Sequence, residues 1–217
     1  RLMNGFVYHV VVSGCSASVT SSDVSLTVNN PPEIVTQPKD TTICMNAGAT
    51  FNVTANGAGI TYQWQVNRGA GFVNVVNDAN FSGSNLNILT ITNAPGTFNN
   101  YIFRVIVSGI CGAPVASNFA VLRVNNPPVV SLNPVNRSIC DGSGPVVFTA
   151  NGSGMIDSLR WQVYNGGVWA DIYDNLIYSG TSSQQLTLSN VPLVLNSNQY
   201  RLSLKAKCTV VYSNSAT

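Results

Sequence analysis

The chain has 217 residues, only 8% of them charged, and a formal net charge of +2. Its ten basic residues are scattered and form no basic stripe, which excludes nucleic acid as an expected partner. No window approaches the roughly eighteen consecutive apolar residues of a membrane span and no signal-peptide pattern opens the chain, so we expect an internal part of a longer protein without direct membrane insertion.

The first 30 residues match a later stretch of the same chain. Residues 6–14 (Phe-Val-Tyr-His-Val-Val-Val-Ser-Gly) align with residues 101–109, and the alternating apolar residues indicate a half-buried strand. The alignment predicts that residues 1–30 are the C-terminal part of a preceding repeat. His9, the only histidine, takes the position of Arg104, which predicts a surface residue. The complete repeats therefore hold no Ser-His or Cys-His nucleophile pair.

The rest of the chain contains one unit twice. Trp64-Gln65-Val66 returns as Trp161-Gln162-Val163, 97 residues later, and Asn-Asn-Pro-Pro stands at both 29–32 and 125–128. A Pro-Pro pair favours extended geometry and makes a short, stiff joint. These joints predict one complete repeat at 31–126 and a second, nearly complete repeat at 127–217 whose last strand is truncated.

Each repeat is predicted to be a β-sandwich. Apolar residues alternate with period 2, as at Tyr62, Trp64 and Val66, and Gly- and Asn-rich breaks separate six or seven short strands. That count and the order of a mid-repeat Trp and a late Tyr predict an all-β fold of tandem immunoglobulin-like Greek-key β-sandwich repeats. Trp64 and Trp161 are expected to be core anchors. Ala55 and Phe103 are expected at the two positions where the immunoglobulin plan usually carries cysteines.

Five cysteines predict an oxidising, extracellular compartment. Their count and period favour one disulfide in each full repeat, Cys44 with Cys111 and Cys140 with Cys208, leaving Cys15 in the partial repeat. A competing scheme pairs Cys15 with Cys44 and Cys111 with Cys140 across the Pro-Pro joints. Both schemes remain open, because the immunoglobulin plan places the two cysteines of one repeat near opposite ends.

The sequence offers little material for catalysis. The acidic residues are dispersed, and the one close pair, Asp171 and Asp174, lacks the spacing of a calcium loop. No glycine-rich phosphate loop is present, so neither a cofactor, a metal nor an enzymatic activity is predicted. One binding hypothesis remains, in which exposed aromatic rings stack on sugars; its residues are Trp169, Tyr173 and Tyr178. The alternative for these rings is ordinary strand and edge packing.

Several motifs together resemble a known type of repeat. They are Ile-Cys before the second strand, Tyr-Gln-Trp-Gln-Val at 62–66, Leu-Thr-Ile-Thr-Asn at 89–93, and the Val-Asn-Asn-Pro-Pro joints. The whole chain resembles the immunoglobulin-like repeats of large Bacteroidetes surface proteins, including SprB-like gliding-motility adhesins exported by type IX secretion. The resemblance implies an outer-membrane-associated or secreted array. It also implies O-glycosylation at Thr41 and Ser158, because Asp40-Thr41-Thr42 and Asp157-Ser158-Leu159 are similar to the modification signal of such bacteria.

Two functions follow from this resemblance and from the composition. The first is a non-catalytic spacer and adhesive array, whose partners are neighbouring repeats and a surface polysaccharide or another adhesive target. The alternative is a glycan-binding accessory module of a secreted multidomain hydrolase.

Overall fold

The computed structural model describes residues 3–217, and their regular structure consists of short β-strands and two single turns of 3-10 helix, Gly96–Phe98 and Leu193–Leu195. Contacts divide the described residues into two units. The first holds the described residues up to Thr41, with Gly48–Thr92 and Asn100–Leu122; the second holds Thr42–Ala47, Asn93–Asn99 and Arg123–Thr217. Among residues 3–217, no helix has the length and apolar character needed to cross a bilayer.

The described part of the first 30 residues forms two small antiparallel pairs. Strand β1 (Val7–Tyr8) pairs with β4 (Val24–Ser25), and β2 (Val11–Ser13) pairs with β3 (Ser18–Thr20). Its apolar side chains are exposed: Val10 and Val12 keep 64% and 66% of their surface accessible, whereas the aligned Val105 and Val107 are fully buried.

The strands between Glu33 and Asn125 form a two-sheet sandwich. They are β5 (Glu33–Thr36), β6 (Thr41–Cys44), β7 (Ala49–Asn52), β8 (Thr54–Asn56), β9 (Thr61–Asn67), β10 (Phe72–Asn74), β11 (Phe81–Ser82), β12 (Ile88–Ile91), β13 (Tyr101–Ser108), β14 (Val115–Ala116) and β15 (Ala120–Asn125). One sheet has the order β11-β12-β7 and the other β10-β9-β13-β15-β6, with β14 also paired to β13 and with β5 and β8 forming a separate pair. Hairpins pair β9 with β10 and β11 with β12, whereas β7 pairs with β12 and β9 with β13 through longer connections, as in a Greek key.

Trp64 lies at the centre of this sandwich. Its side chain is fully buried, and its ring nitrogen donates a hydrogen bond of 2.9 Å to the Leu86 carbonyl, which satisfies a polar group that burial would otherwise penalise. The core position assigned to this Trp is confirmed. The position predicted for Ala55 is wrong, because β7 ends before it and Ala55 lies in β8. Phe51 of β7 stacks on Phe103 instead, with ring centroids 4.9 Å apart.

The strands between Val129 and Tyr212 form a second sandwich with a similar plan. They are β16 (Val129–Leu132), β17 (Val146–Thr149), β18 (Asn151–Ser153), β19 (Ser158–Tyr164), β20 (Trp169–Asp171), β21 (Tyr178–Ser179), β22 (Gln185–Leu188), β23 (Gln199–Ala206) and β24 (Thr209–Tyr212). The sheets have the orders β17-β22-β21 and β20-β19-β23-β24, and β16 pairs with β18. Trp161 is fully buried within a core that includes Phe148, Leu186 and Leu202, and its ring nitrogen donates to the Ser183 carbonyl at 2.9 Å.

One serine hydrogen-bond pattern occurs at three places within residues 3–217. The Ser117 hydroxyl accepts from the Val105 backbone N–H at 3.0 Å, and the Ser117 N–H donates to the Val105 carbonyl. The same two bonds join Ser213 to Leu202 and Ser21 to Val10. In all three cases the hydroxyl also donates to the carbonyl of the next residue. The three hairpins therefore share a local structure.

Side chains also replace backbone pairing at matching places in the two sandwiches. Gln37 accepts from the Asn118 N–H, and Asn133 accepts from the Asn214 N–H. Further along, the carboxylate of Asp40 accepts from the Val121 N–H and the amide oxygen of Asn136 accepts from the Thr217 N–H, so Thr217 takes the place of Val121. These polar side chains thus satisfy backbone N–H donors in place of a backbone carbonyl.

Candidate functional site

A guanidinium group held between aromatic rings is the main feature of the second sandwich's β20-β19-β23-β24 sheet. The Cζ atom of Arg201 lies 4.1 Å from the ring centroid of Trp169 and 3.8 Å from that of Tyr212. Its Nε donates to the Gln162 Oε1 at 2.9 Å, and Gln162 Nε2 donates to Asp171 at 2.8 Å. Partial burial lowers the pKa of Arg201. Because Gln162 lies opposite both Asp171 and Arg201 in the register, the chain of contacts crosses three strands.

The first sandwich repeats this arrangement. Arg104 lies 4.1 Å from the centroid of Phe72, and its Nε donates to the Gln65 Oε1 at 2.8 Å. Gln65 in turn donates to Asn74 at 2.9 Å, and Phe72 stacks on Phe119 at 5.2 Å. The same order of aromatic ring, arginine, glutamine and short polar residue thus occurs in both sandwiches. Its recurrence on differing rings indicates a packing element of the sheet surface.

The structure does not bring the three candidate sugar-stacking residues together. Trp169 is half-buried, with Arg201 over its ring and Tyr164 at 5.5 Å. Tyr178 belongs to β21 in the opposite sheet, where its hydroxyl lies 3.3 Å from that of Tyr200, whose pKa is raised by burial. Tyr173 is 64% exposed, but Arg160 lies 4.7 Å from its centroid. The predicted joint platform is therefore corrected: Trp169 and Tyr178 lie on different sheets, Tyr173 follows β20 outside any strand, and Trp169 and Tyr173 each have a guanidinium group over the ring.

The acidic pair has structural partners. Asp174 accepts from the Thr181 hydroxyl at 2.7 Å and from the Thr181 N–H at 3.0 Å, and these bonds hold the pKa of Asp174 below its usual value. Asp171 accepts from Gln162. Within residues 3–217, no group of three or more His, Cys, Asp or Glu side chains is arranged to hold a metal ion. His9 is exposed, and its Nδ1 lies 3.1 Å from Asp23.

The cysteines pair differently from either predicted scheme. Cys44 is bonded to Cys208, 164 residues later, with their Cα atoms 5.6 Å apart. Cys15, Cys111 and Cys140 are free thiols. The bridge thus joins the end of β6 to the turn between β23 and β24.

Geometry within the second sandwich explains why Cys140 and Cys208 do not pair. The turn that follows Cys140 is bonded to the Val191 carbonyl, next to the 3-10 turn. Cys208 lies in the β23–β24 turn, just beyond Lys205, whose carbonyl accepts from Asp157. These two places are at opposite ends of the sandwich, whereas a disulfide requires Cα atoms within about 7 Å.

No family model matches the chain. Over 147 residues the chain is 27% identical to endoglucanase C of Cellulomonas fimi; the match covers 67% of this chain and 13% of that enzyme's length. Among solved structures, an I-band fragment of titin aligns over 97% of this chain and 72% of its own, with a TM-score of 0.64 and 13% identity. Domains 1–5 of Sidekick-1 align over 97% of this chain and 46% of theirs, with a TM-score of 0.59 and 16% identity.

Extracellular domains 3–5 of Drosophila OTK align as well, over 92% of this chain and 65% of theirs, with a TM-score of 0.54 and 16% identity. The titin and Sidekick-1 structures consist of tandem immunoglobulin domains. The chain has the fold of tandem immunoglobulin-like domains. The predicted fold class is thereby confirmed.

The two candidate glycosylation residues lie on strands of the immunoglobulin-like repeats. Ser158 is exposed and opens β19. Thr41 opens β6, is half-buried, and donates to the Lys39 carbonyl at 3.3 Å. Ser158 is therefore the more accessible of the two.

Sequence reasoning missed the arginine and glutamine contacts on the sheet face. Their signal was present, because Gln65 and Gln162 share the spacing of 97 residues with the pair Arg104 and Arg201. It also missed the pairing of Cys44 with Cys208, since across each Pro-Pro joint only the two cysteines nearest in sequence were compared.

Proposed function

We propose that the chain is a non-catalytic segment of an extracellular array of immunoglobulin-like repeats, in which each repeat is a spacer. The Cys44–Cys208 disulfide carries this proposal, because it covalently joins two successive repeats and so protects their connection against unfolding at the joint. A disulfide persists in oxidising surroundings, which supports a secreted or cell-surface location. Function then arises from the number and connection of the repeats.

Within this proposal, the array presents an adhesive element at a bacterial cell surface and serves attachment or gliding motility. The sequence resemblance to Bacteroidetes adhesins supports this role, as does the division into a partial repeat at 1–30 and repeats at 31–126 and 127–217. The recurring serine pattern at Ser21, Ser117 and Ser213 supports the division.

A second candidate is an accessory module of a secreted hydrolase. The similarity to endoglucanase C favours it, since a match over 13% of that enzyme leaves room for a catalytic region elsewhere in it. In that case the module would contact polysaccharide through the aromatic and polar residues of the sheet face, with Trp169 as its largest ring.

A glycan array separates the two candidates. We expect the oxidised chain to bind no immobilised polysaccharide, because Arg201 covers one face of Trp169 and Tyr178 lies on the other sheet. Trp169→Ala and Phe72→Ala, which remove the matching rings of the two repeats, should behave identically to the parent chain. Binding of cellulose or another polysaccharide that Trp169→Ala abolishes and Phe72→Ala preserves would establish the accessory module instead.

We also propose O-glycans on Ser158 and Thr41 in the natively produced protein. Ser158 is expected to carry the higher occupancy, because this residue is the more exposed of the two. Intact mass spectrometry of the native protein should show an added sugar mass, and Ser158→Ala should remove most of it. A native mass equal to that of the unmodified chain rejects this proposal.

A further inference from the structure

We propose that each of the three free cysteines forms a disulfide with a cysteine of an adjacent repeat, equivalent to the disulfide between Cys44 and Cys208. In this scheme a cysteine in the first turn of each repeat bonds the hairpin cysteine of the following repeat. Cys140 is then a turn cysteine, which bonds the hairpin cysteine of a following immunoglobulin-like repeat. Cys111 and Cys15 are hairpin cysteines, and each bonds the turn cysteine of the repeat that precedes its own.

The turn around Cys140 reproduces the turn around the bonded Cys44. In the first case the Ser143 N–H donates to the Cys140 carbonyl at 3.1 Å, and in the second the Ala47 N–H donates to the Cys44 carbonyl at 3.0 Å. The intervening residues also agree: Gly142 donates to Val191 and Asn46 donates to Ala94. Both have a left-handed backbone, with φ of 68° and 65°. Cys140 is therefore built into the same turn that positions a bonded cysteine.

The hairpins that carry the other cysteines are equivalent in the same sense. Cys208 follows Leu202 by six residues, and Cys111 follows Val105 by six; each of these strand residues makes the two serine bonds described above. Cys15 follows Val10, the third member of that set, by five residues. Each hairpin thus holds its cysteine just beyond the strand that is anchored by the serine.

The positions of these cysteines within a repeat fit a bridge to a neighbour. The turn after Cys44 lies at the end of its repeat, because the Met45 N–H donates to the Asn125 carbonyl at 3.0 Å, directly before the Pro127-Pro128 joint. The hairpin loop of Cys111 lies at the start of its repeat, because a Cβ on Gly112 would stand 2.6 Å from Pro31. A cysteine at the end of one repeat and another at the start of the next are the pair that a joint brings together.

Closure of such a bridge is a thiol–disulfide exchange. The Cys140 thiolate attacks a sulfur of a disulfide oxidant and releases one thiolate, and the hairpin cysteine then attacks the mixed disulfide and releases the second. Two protein thiols and one oxidant disulfide become one protein disulfide and two small thiols. Cys140 and Cys15 are exposed and Cys111 is half-buried, so the two exposed thiols are open to this attack. The proposed disulfides form whether the array adheres to a target or serves only as a spacer.

The test is a lengthened chain in which residues 1–217 are followed by a second copy of residues 122–217. The parent chain has one bridge and three free thiols. The copy adds one turn and one hairpin cysteine, giving seven cysteines in all. We expect alkylation under denaturing, non-reducing conditions to count three thiols, because Cys140 pairs with the added copy's Cys208. Peptide mapping should then find this new pair beside the Cys44–Cys208 pair.

Two variants keep the outcome decisive. Cys140→Ser in the lengthened chain should raise the count to four thiols and remove only the new pair. Cys15→Ser with Cys111→Ser removes competing thiols that misdirect pairing, and the lengthened chain should then expose one thiol. The proposal is overturned if Cys140 is alkylated both in the lengthened chain and in its variant with Cys15→Ser and Cys111→Ser. An intact Cys44–Cys208 pair shows in each case that the chain has folded. Cys140 bonded to any residue other than the added hairpin cysteine would overturn it as well.

Discussion

Trp161→Ala is expected to leave the second sandwich close to unfolding. The indole is fully buried among Phe148, Leu186 and Leu202, so truncation removes its apolar burial and leaves a cavity, a change that costs about 3–5 kcal/mol. It also removes the donor to the Ser183 carbonyl, which adds about 1 kcal/mol if no water replaces it. Domains are stable by only about 5–15 kcal/mol, so most of that margin is lost. Guanidinium unfolding followed by far-UV circular dichroism measures the effect.

The same repeat provides the control. Trp169→Ala changes the same residue type on the half-buried sheet face, and we expect it to cost about 1 kcal/mol through the lost contact with Arg201. Trp161→Phe keeps most of the buried ring and loses the hydrogen bond, so its unfolding midpoint should lie between the two. Equal midpoints for Trp161→Ala and Trp169→Ala would contradict the role of Trp161 as the core anchor.

The fold was accessible from the sequence because its signals are local and repeated. Alternation at Phe103, Val105 and Val107 specifies which face of β13 is buried, and the structure buries all three completely. The Trp in each repeat recurs at a fixed spacing and could be placed at the core for its size alone. Ala55 was misplaced because the end of β7 depends on where the chain leaves one sheet to pair with β5, which alternation does not specify.

The candidate site was less accessible because it depends on contacts between distant strands. The covering of Trp169 by Arg201 follows from the register of β19 with β23 and β20, and no pattern within either strand encodes that register. The sequence of a strand does not distinguish an exposed aromatic ring from an aromatic ring that lies under a guanidinium group. The presence of an arginine at the matching position in both repeats was the available clue.

The disulfide pairing failed for a related reason. The possible partners of a cysteine were sought by sequence separation, whereas the end of the sandwich on which each cysteine lies decides the pairing. Cysteine count suggested one bond per repeat, and this arithmetic holds for a linear array even when every bond joins two repeats. The competing scheme linked neighbouring repeats, as the Cys44–Cys208 bridge does. It chose the wrong residues, because it paired cysteines that are 29 residues apart in the sequence.

Removing the Cys44–Cys208 bridge is expected to destabilise the chain by about 2–4 kcal/mol. A cross-link between residues 164 apart limits the freedom of the unfolded chain, and loops of this length lie at the upper end of the usual range of disulfide stabilisation. We therefore expect Cys44→Ser combined with Cys208→Ser to lower the guanidinium midpoint by about 1 M for a domain of this size. The reduced parent chain should show the same midpoint as the double variant.

Cys15→Ser and Cys111→Ser are the matched controls, since each replaces a thiol that forms no bond in this chain. Both should unfold at the parent midpoint, which separates the effect of the bridge from that of a polar replacement. A double variant as stable as the oxidised parent would mean that Cys44 and Cys208 are not cross-linked in solution, and it would remove the support for a covalently joined array. If the stability is lost as expected, each further bridge of the same kind would add to the resistance of a longer array, because every unfolded repeat would stay tied to its folded neighbours.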